Sequence, residues 1–118
     1  MSLITTTDAA FGNDVLASPT PVLVDFTAAW CAPCRMLAPV LEQIAGDEAA
    51  RLRVVSIDVD ANPVTTRKYQ VMSMPTLTLF VEGEVVAQFV GFKPRAAIMR
   101  DLEPHLHDWE ARASQLRS

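Results

Sequence analysis

The chain has 118 residues, half of them hydrophobic, with a net charge of −4 and only two cysteines. That suffices for one compact domain with an apolar core, so a disulfide-stapled miniature scaffold is excluded. Acidic residues are spread along the chain and no basic face is clustered, which argues against nucleic-acid binding; no apolar run approaches the roughly 20 residues that cross a bilayer.

The Thr-rich first residues, Met1 to Phe11, carry no basic segment and no long apolar run. No secretory signal is read there, and a reducing, cytoplasmic setting is expected, where a close cysteine pair is catalytic, redox-sensing or metal-binding rather than structural. Thr7-Asp8 offers helix-capping chemistry ahead of Phe11, Val15 and Leu16, predicting a short first helix that Ser18-Pro19-Thr20-Pro21 breaks. Val22-Leu23-Val24-Asp25-Phe26 is an apolar run of strand length interrupted by one acid, the pattern of a strand covered on both faces. Met36, Leu37, Val40, Leu41 and Ile44 recur at helical period, with a stop expected at Gly46 or a turn continuing through Glu48-Ala49-Ala50.

Leu52 to Val59 reads as a second buried strand. Asn62-Pro63 opens a short helix through Lys68, since Asn is a favoured cap and Pro fits the first helical position. Thr76 to Val81 and Val85 to Val90 form a predicted hairpin about a tight Glu82-Gly83-Glu84 turn. A last helix begins near Pro94, with Ile98, Leu102, Leu106 and Trp109 as its apolar stripe and a kink expected at Pro104. Strands alternating with helices, then a hairpin, then a helix, predict an α/β layer with a mixed sheet.

Both cysteines lie in Trp30-Cys31-Ala32-Pro33-Cys34. Positions i and i+3 at a helix start lie about 5 Å apart, within reach of a disulfide. The pair is thus compatible with a two-electron redox switch or with half of a metal site. A structural zinc site generally needs four ligands, and the only histidines, His105 and His107, would diverge on a helix.

Val24-Asp25-Phe26, Trp30-Cys31-Ala32-Pro33-Cys34-Arg35, Asp60-Ala61-Asn62-Pro63, Met74-Pro75-Thr76, Glu82-Gly83-Glu84 and Val90-Gly91 stand together in order and spacing. In these pieces the chain resembles the thioredoxin family over roughly residues 3 to 106. The resemblance implies the thioredoxin fold, a central mixed β-sheet flanked by helices on both faces, in a single domain over 1–118, with 107–118 a helical extension or tail. It implies a protein-disulfide reductase in which Cys31 attacks, Cys34 resolves, and Cys31–Cys34 is the redox-active disulfide. A cysteine at a helix N-terminus is favoured as thiolate, and Pro33 sits in the first turn, where its missing N–H costs nothing.

The resemblance further implies that Asp25 accepts and returns the proton of Cys34; an acid interrupting an apolar strand is desolvated and its pKa raised. Pro75 is expected to be cis and to hold the Met74 backbone for pairing with an extended substrate. Trp30, Ala32, Pro33, Met74 and Gly91, together with Phe92, are expected to form the docking patch. Implied partners are oxidised client proteins and a thioredoxin reductase that supplies electrons from NADPH; no bound cofactor or metal and a monomeric state are expected. Thr27, where many bacterial members carry Trp, and Ser56, where many carry Lys, depart from the family pattern, as does Ala32 in place of Gly. A more oxidising oxidase or isomerase and a non-enzymatic binding module are the alternatives. Pro33, standing where oxidising relatives often carry His, disfavours the first, and two intact cysteines disfavour the second.

Overall fold

The computed structural model describes residues 3–117. Its strands are β1 (Ile4–Thr5), β2 (Val22–Thr27), β3 (Arg53–Asp58), β4 (Thr76–Val81) and β5 (Glu84–Val90). Its helices are α1 (Ala32–Asp47), α2 (Pro63–Lys68) and α3 (Arg95–Arg117), and a short π-helical turn at Gly12–Leu16 precedes β2. The strands form one sheet in the order β1-β3-β2-β4-β5. β2 runs parallel to β3 and antiparallel to β4, and β4 and β5 form the hairpin. The sheet is therefore mixed, with β2 at its centre.

Successive β2 side chains alternate between two cores, which is why the run reads as continuous hydrophobicity. Val22, Val24 and Phe26 join Val55 and Ile57 beneath Phe11, Val15 and Tyr69 on one face. Leu23 joins Val54, Leu77 and Leu79 beneath Leu37, Leu41 and Ile44 of α1 and Ile98, Leu102 and Leu106 of α3 on the other. Helices thus cover both faces, as the α/β reading requires.

Several local details differ from the sequence expectations. β1 is only two residues long, held by its parallel pairing to β3 rather than by any hydrophobic pattern. α1 ends one residue past Gly46, at Asp47, and the chain goes on as a turn through Glu48, Ala49 and Ala50. The caps trade places: Asn62 makes no side-chain capping bond to α2, and the Asp8 carboxylate instead accepts from the Val64 and Thr65 amides. Asn62 is turned the other way, accepting from the Asp8 amide and donating to the Asp58 carbonyl. Of the Thr7-Asp8 pair it is Thr7 that serves the first turn, accepting from the Ala10 amide.

The β4–β5 turn places Glu82 (φ 53°) and Gly83 (φ 81°) in the left-handed region, the geometry a two-residue hairpin turn demands. Across the hairpin Leu79 pairs Ala87 and Phe80 pairs Val85, leaving Val86 as a bulge. α3 runs through Pro104 unbroken, as one helix of 23 residues. Its far end returns to the domain: Trp109 packs on the α1–α3 core, and Arg112 bridges to Glu82. Arg51, after α1, pairs with Glu48, Glu103 and Glu110 together. Among the described residues no helix is long and apolar enough to cross a membrane.

Candidate active site

β2 carries the chain from the middle of the sheet to its edge, and the loop Ala28–Trp30 then delivers Cys31 to the start of α1. Cys31 is the N-cap residue, with extended backbone (φ −93°, ψ 108°), and its sulfur accepts the Cys34 amide at 3.2 Å. The Cys31 amide donates to the Ala28 carbonyl, and the Arg35 amide to the Cys31 carbonyl. A sulfur therefore does the capping work usually left to Ser, Asp or Asn, on a helix of 16 residues whose dipole favours negative charge there. Ala32 and Pro33, both exposed, fill the first turn. Cys31 and Cys34 are joined as a disulfide, with Cα atoms 5.3 Å apart.

The second wall is the segment before β4. The Met74–Pro75 peptide bond is cis, and the Met74 carbonyl oxygen lies 3.5 Å from Cys31 Sγ. Gly91, with φ 94°, donates its amide to the Pro75 carbonyl at 2.8 Å. That left-handed conformation is one L side chains rarely adopt, which accounts for glycine here. Pro75 is buried, Met74 half-buried and Phe92 exposed.

Trp30 is 64% exposed, yet it is not loose: its indole N–H donates to Asp60 Oδ2 at 2.9 Å. The Asp58 carboxylate in turn accepts the amides of Asp60 and Ala61, which turns the chain after β3 and aims Asp60 back at the indole. On the other side of the loop, Arg35 Nη1 donates to the Ala29 carbonyl at 2.9 Å, closing residues 29–35 into a ring.

Asp25 is 2% exposed in the middle of β2. Among the described residues its Oδ1 meets no hydrogen-bond partner, and burial alone pushes its pKa up to about 7. In register, it faces Ser56 on β3 and Leu77 on β4. Neither is charged, so nothing beside it offsets the desolvation of the carboxylate. Thr27 ends β2, half-buried, with its carbonyl accepting the Val59 amide.

Cys31, Cys34, Trp30, Ala32, Pro33, Met74, Pro75 and Gly91 are thus brought to one end of the sheet, at the β2–α1 junction. Asp25 lies beneath them in the sheet, and no side-chain hydrogen bond links it to either sulfur. His105 is half-buried and His107 exposed, both on α3. Among the described residues no group of three or more His, Cys, Asp or Glu is placed to hold a metal ion. Sequence reasoning does not reach Asp58, Asp60 or Arg35 as site residues. Asp58, the last residue of β3, and Asp60, two residues past it, stand in view as acids at a strand end, a pattern typical of side-chain-capped turns. Arg35 acts through its reach to a carbonyl six residues back, which spacing does not reveal.

A chain with this geometry can open and close its thiol pair while presenting Cys31 beside the Met74 carbonyl. The thioredoxin family model matches residues 2–104. The chain is 56% identical over 99 residues to a thioredoxin of Mycobacterium tuberculosis, covering 84% of this chain and 85% of that one. It is 43% identical over 106 residues to a thioredoxin of Staphylococcus saprophyticus, covering 90% of this chain and all of its relative. It is also 54% identical over 99 residues to a bifunctional thioredoxin reductase/thioredoxin of Mycobacterium leprae, of which the match spans 22%.

Proposed function

The chain belongs to the thioredoxin family and is a protein-disulfide oxidoreductase working by dithiol–disulfide exchange; from there we propose how its residues divide that work. Cys31, as thiolate, attacks one sulfur of a client disulfide, forming a Cys31–client mixed disulfide and expelling the client's other thiolate. Cys34 then gives its proton to Asp25, relayed through water, and attacks Cys31 Sγ, releasing the second client thiolate and closing Cys31–Cys34. The client gains two electrons and the pair loses two.

The observation that carries the assignment is the Cys31 sulfur itself. It accepts the Cys34 amide at the helix N-terminus and lies 3.5 Å from the Met74 carbonyl. A donor and a positive dipole end stabilise the attacking thiolate and bring its pKa toward neutrality, where thiols attack best. The Met74 backbone, turned by Pro75 and braced by the Gly91 amide, offers pairing to an extended client segment. Trp30 and Gly91 border that segment, with Ala32 and Pro33 beside the attacking sulfur. Asp25, with a pKa of about 7, holds a proton or lacks one with similar ease near neutral pH, which suits a group that takes a proton and returns it.

Reduction of the closed pair falls to an NADPH-dependent thioredoxin reductase; the printed name of the Mycobacterium leprae relative, which joins the two activities in one protein, supports this pairing. The electrons come from outside and no cofactor is bound. We assign residues 3–106 to the catalytic domain and the helical stretch beyond it to bracing, and we place the protein as a monomer in the cytoplasm.

Reduction of insulin disulfides, driven by dithiothreitol and separately by a thioredoxin reductase, tests the assignment. Cys31→Ser abolishes turnover, and Cys34→Ser accumulates a client mixed disulfide on Cys31. Turnover that survives Cys31→Ser would refute the reading, and activity with dithiothreitol alone would point to a different electron donor.

A further inference from the structure

The structure sorts the methionines by exposure. Met74 packs against the core beneath the disulfide and Met99 against the α1–α3 core. Met72, in contrast, is 89% exposed, and Met36 is 62% exposed. Met72 reaches solvent for a backbone reason: Gln70 takes the left-handed conformation (φ 56°), which turns the chain out of α2. Val71 then packs inward on the core, and Met72 is left facing out. It rims an open hollow lined by Arg67, Gln70 and Val71. Two residues further on is the Met74 carbonyl that lies beside Cys31 Sγ.

We propose that Met72 is a site of reversible sulfoxidation that weakens client docking beside the Cys31–Cys34 pair. In the closed form of the pair neither sulfur is a thiolate, so among the described residues this exposed thioether is the group an oxidant meets first. A peroxide transfers its terminal oxygen to Met72 Sδ: the O–O bond breaks, an S=O bond forms, sulfur is oxidised by two electrons and the peroxide is reduced to water or alcohol, with no net proton change. The product replaces a flexible apolar side chain with a polar one. Methionine owes its usefulness at binding surfaces to being soft and apolar, so the change is felt by a client chain lying along the Met74 backbone. A methionine sulfoxide reductase reverses it. The effect on docking rests on the assignment of that backbone to client pairing.

The test treats the disulfide form with limiting hydrogen peroxide, maps the added oxygen by peptide mass spectrometry, and compares each variant's activity after and before treatment. Among the four methionines of the described residues, Met72 is expected to gain oxygen first, ahead of Met36, with Met74 and Met99 last. Dithiothreitol-driven reduction of insulin by the treated parent falls on the order of fivefold, the scale of one lost apolar contact. Reduction of a small aromatic disulfide, which needs no docking along the loop, holds its rate. The loss is absent in Met72→Leu and retained in Met36→Leu. Oxidation without preference for Met72, a loss that persists in Met72→Leu, or a parallel loss on both substrates would overturn the proposal. An untreated parent that does not reduce insulin would instead overturn the reductase reading, independently of methionine chemistry.

Discussion

Replacing Asp25 with Asn removes a carboxyl group that the fold holds out of water. Its pKa is raised by burial from 3.8 to about 7, a difference of about 3 units, and each unit corresponds to about 1.4 kcal/mol. The sign follows from proton counting. Between the unfolded and folded values the native chain keeps a proton that the unfolded chain has released, so stability falls as pH rises through this window. Well below the unfolded value of 3.8 the carboxyl is neutral in both states and its ionisation contributes nothing; above about pH 8 the native state carries the full penalty, about 4 kcal/mol. The carboxamide of the variant has no such ionisation. Any pH-independent cost of burying the amide is a constant offset, so the slope against pH is the readout. Urea unfolding of the disulfide forms of parent and Asp25→Asn, from about pH 4 to about pH 8.5, should show the variant gaining steadily on the parent. With an m-value of about 2 kcal/mol per molar for a chain of this size, the midpoints should separate by a further 2 M or so across the range. A midpoint difference that stays constant with pH would refute the reasoning.

The same carboxyl should govern catalysis: release of a Cys31–client mixed disulfide by Cys34 should accelerate as pH rises through about 7, and stopped-flow measurements on Asp25→Asn should lack that inflection. Asp60→Ala removes the indole's acceptor; Trp30 fluorescence anisotropy should fall, and insulin turnover should drop on the order of threefold, a shift of under about 1 kcal/mol. Gly83→Ala brings a Cβ to 3.0 Å from the Leu16 carbonyl oxygen at φ 81°, so thermal unfolding should report a loss of about 2 kcal/mol. Leu102→Ala empties a fully buried position between α3 and the sheet, and denaturant titration should show a loss of about 3 kcal/mol. Arg51→Ala should cost about 1 kcal/mol in low salt, a difference that largely disappears near 1 M salt because its carboxylate partners are solvated.

The periodic elements were legible because hydrophobic period and strand burial are properties of neighbours in sequence. Val22–Phe26, Thr76–Val81 and the Ile98–Leu102–Leu106 stripe all fall where their patterns put them. What was not legible depends on residues far apart in the chain. Asn62 holds the N-cap position of α2, where its sequence puts it, but the carboxylate that accepts the first-turn amides is that of Asp8, 56 residues away. β1 exists only because β3 offers it an edge. That α3 runs on as one helix past Pro104 rests on Leu102 and Leu106, buried on either side of it, and on the Arg51 pairs with Glu103 and Glu110. At the site, the cysteine pair was visible by spacing. The Trp30–Asp60 bond needed the β2–α1 and β3–α2 loops to be placed side by side, which no single segment encodes.

The far end of α3 has a practical consequence. β4 runs antiparallel to β2, with Phe80 opposite Val22, so the Glu82 turn that Arg112 grips lies at the starting end of β2. The disulfide follows the finishing end, some six residues or about 20 Å away along the strand. Material joined beyond α3, such as an affinity handle, a solid support or a second protein, would depart from the side of the molecule facing away from Cys31. Immobilised by that route, the protein should reduce insulin at the rate of the free form, whereas attachment through Lys93, two residues past the Gly91 amide that bonds the Pro75 carbonyl, should slow it.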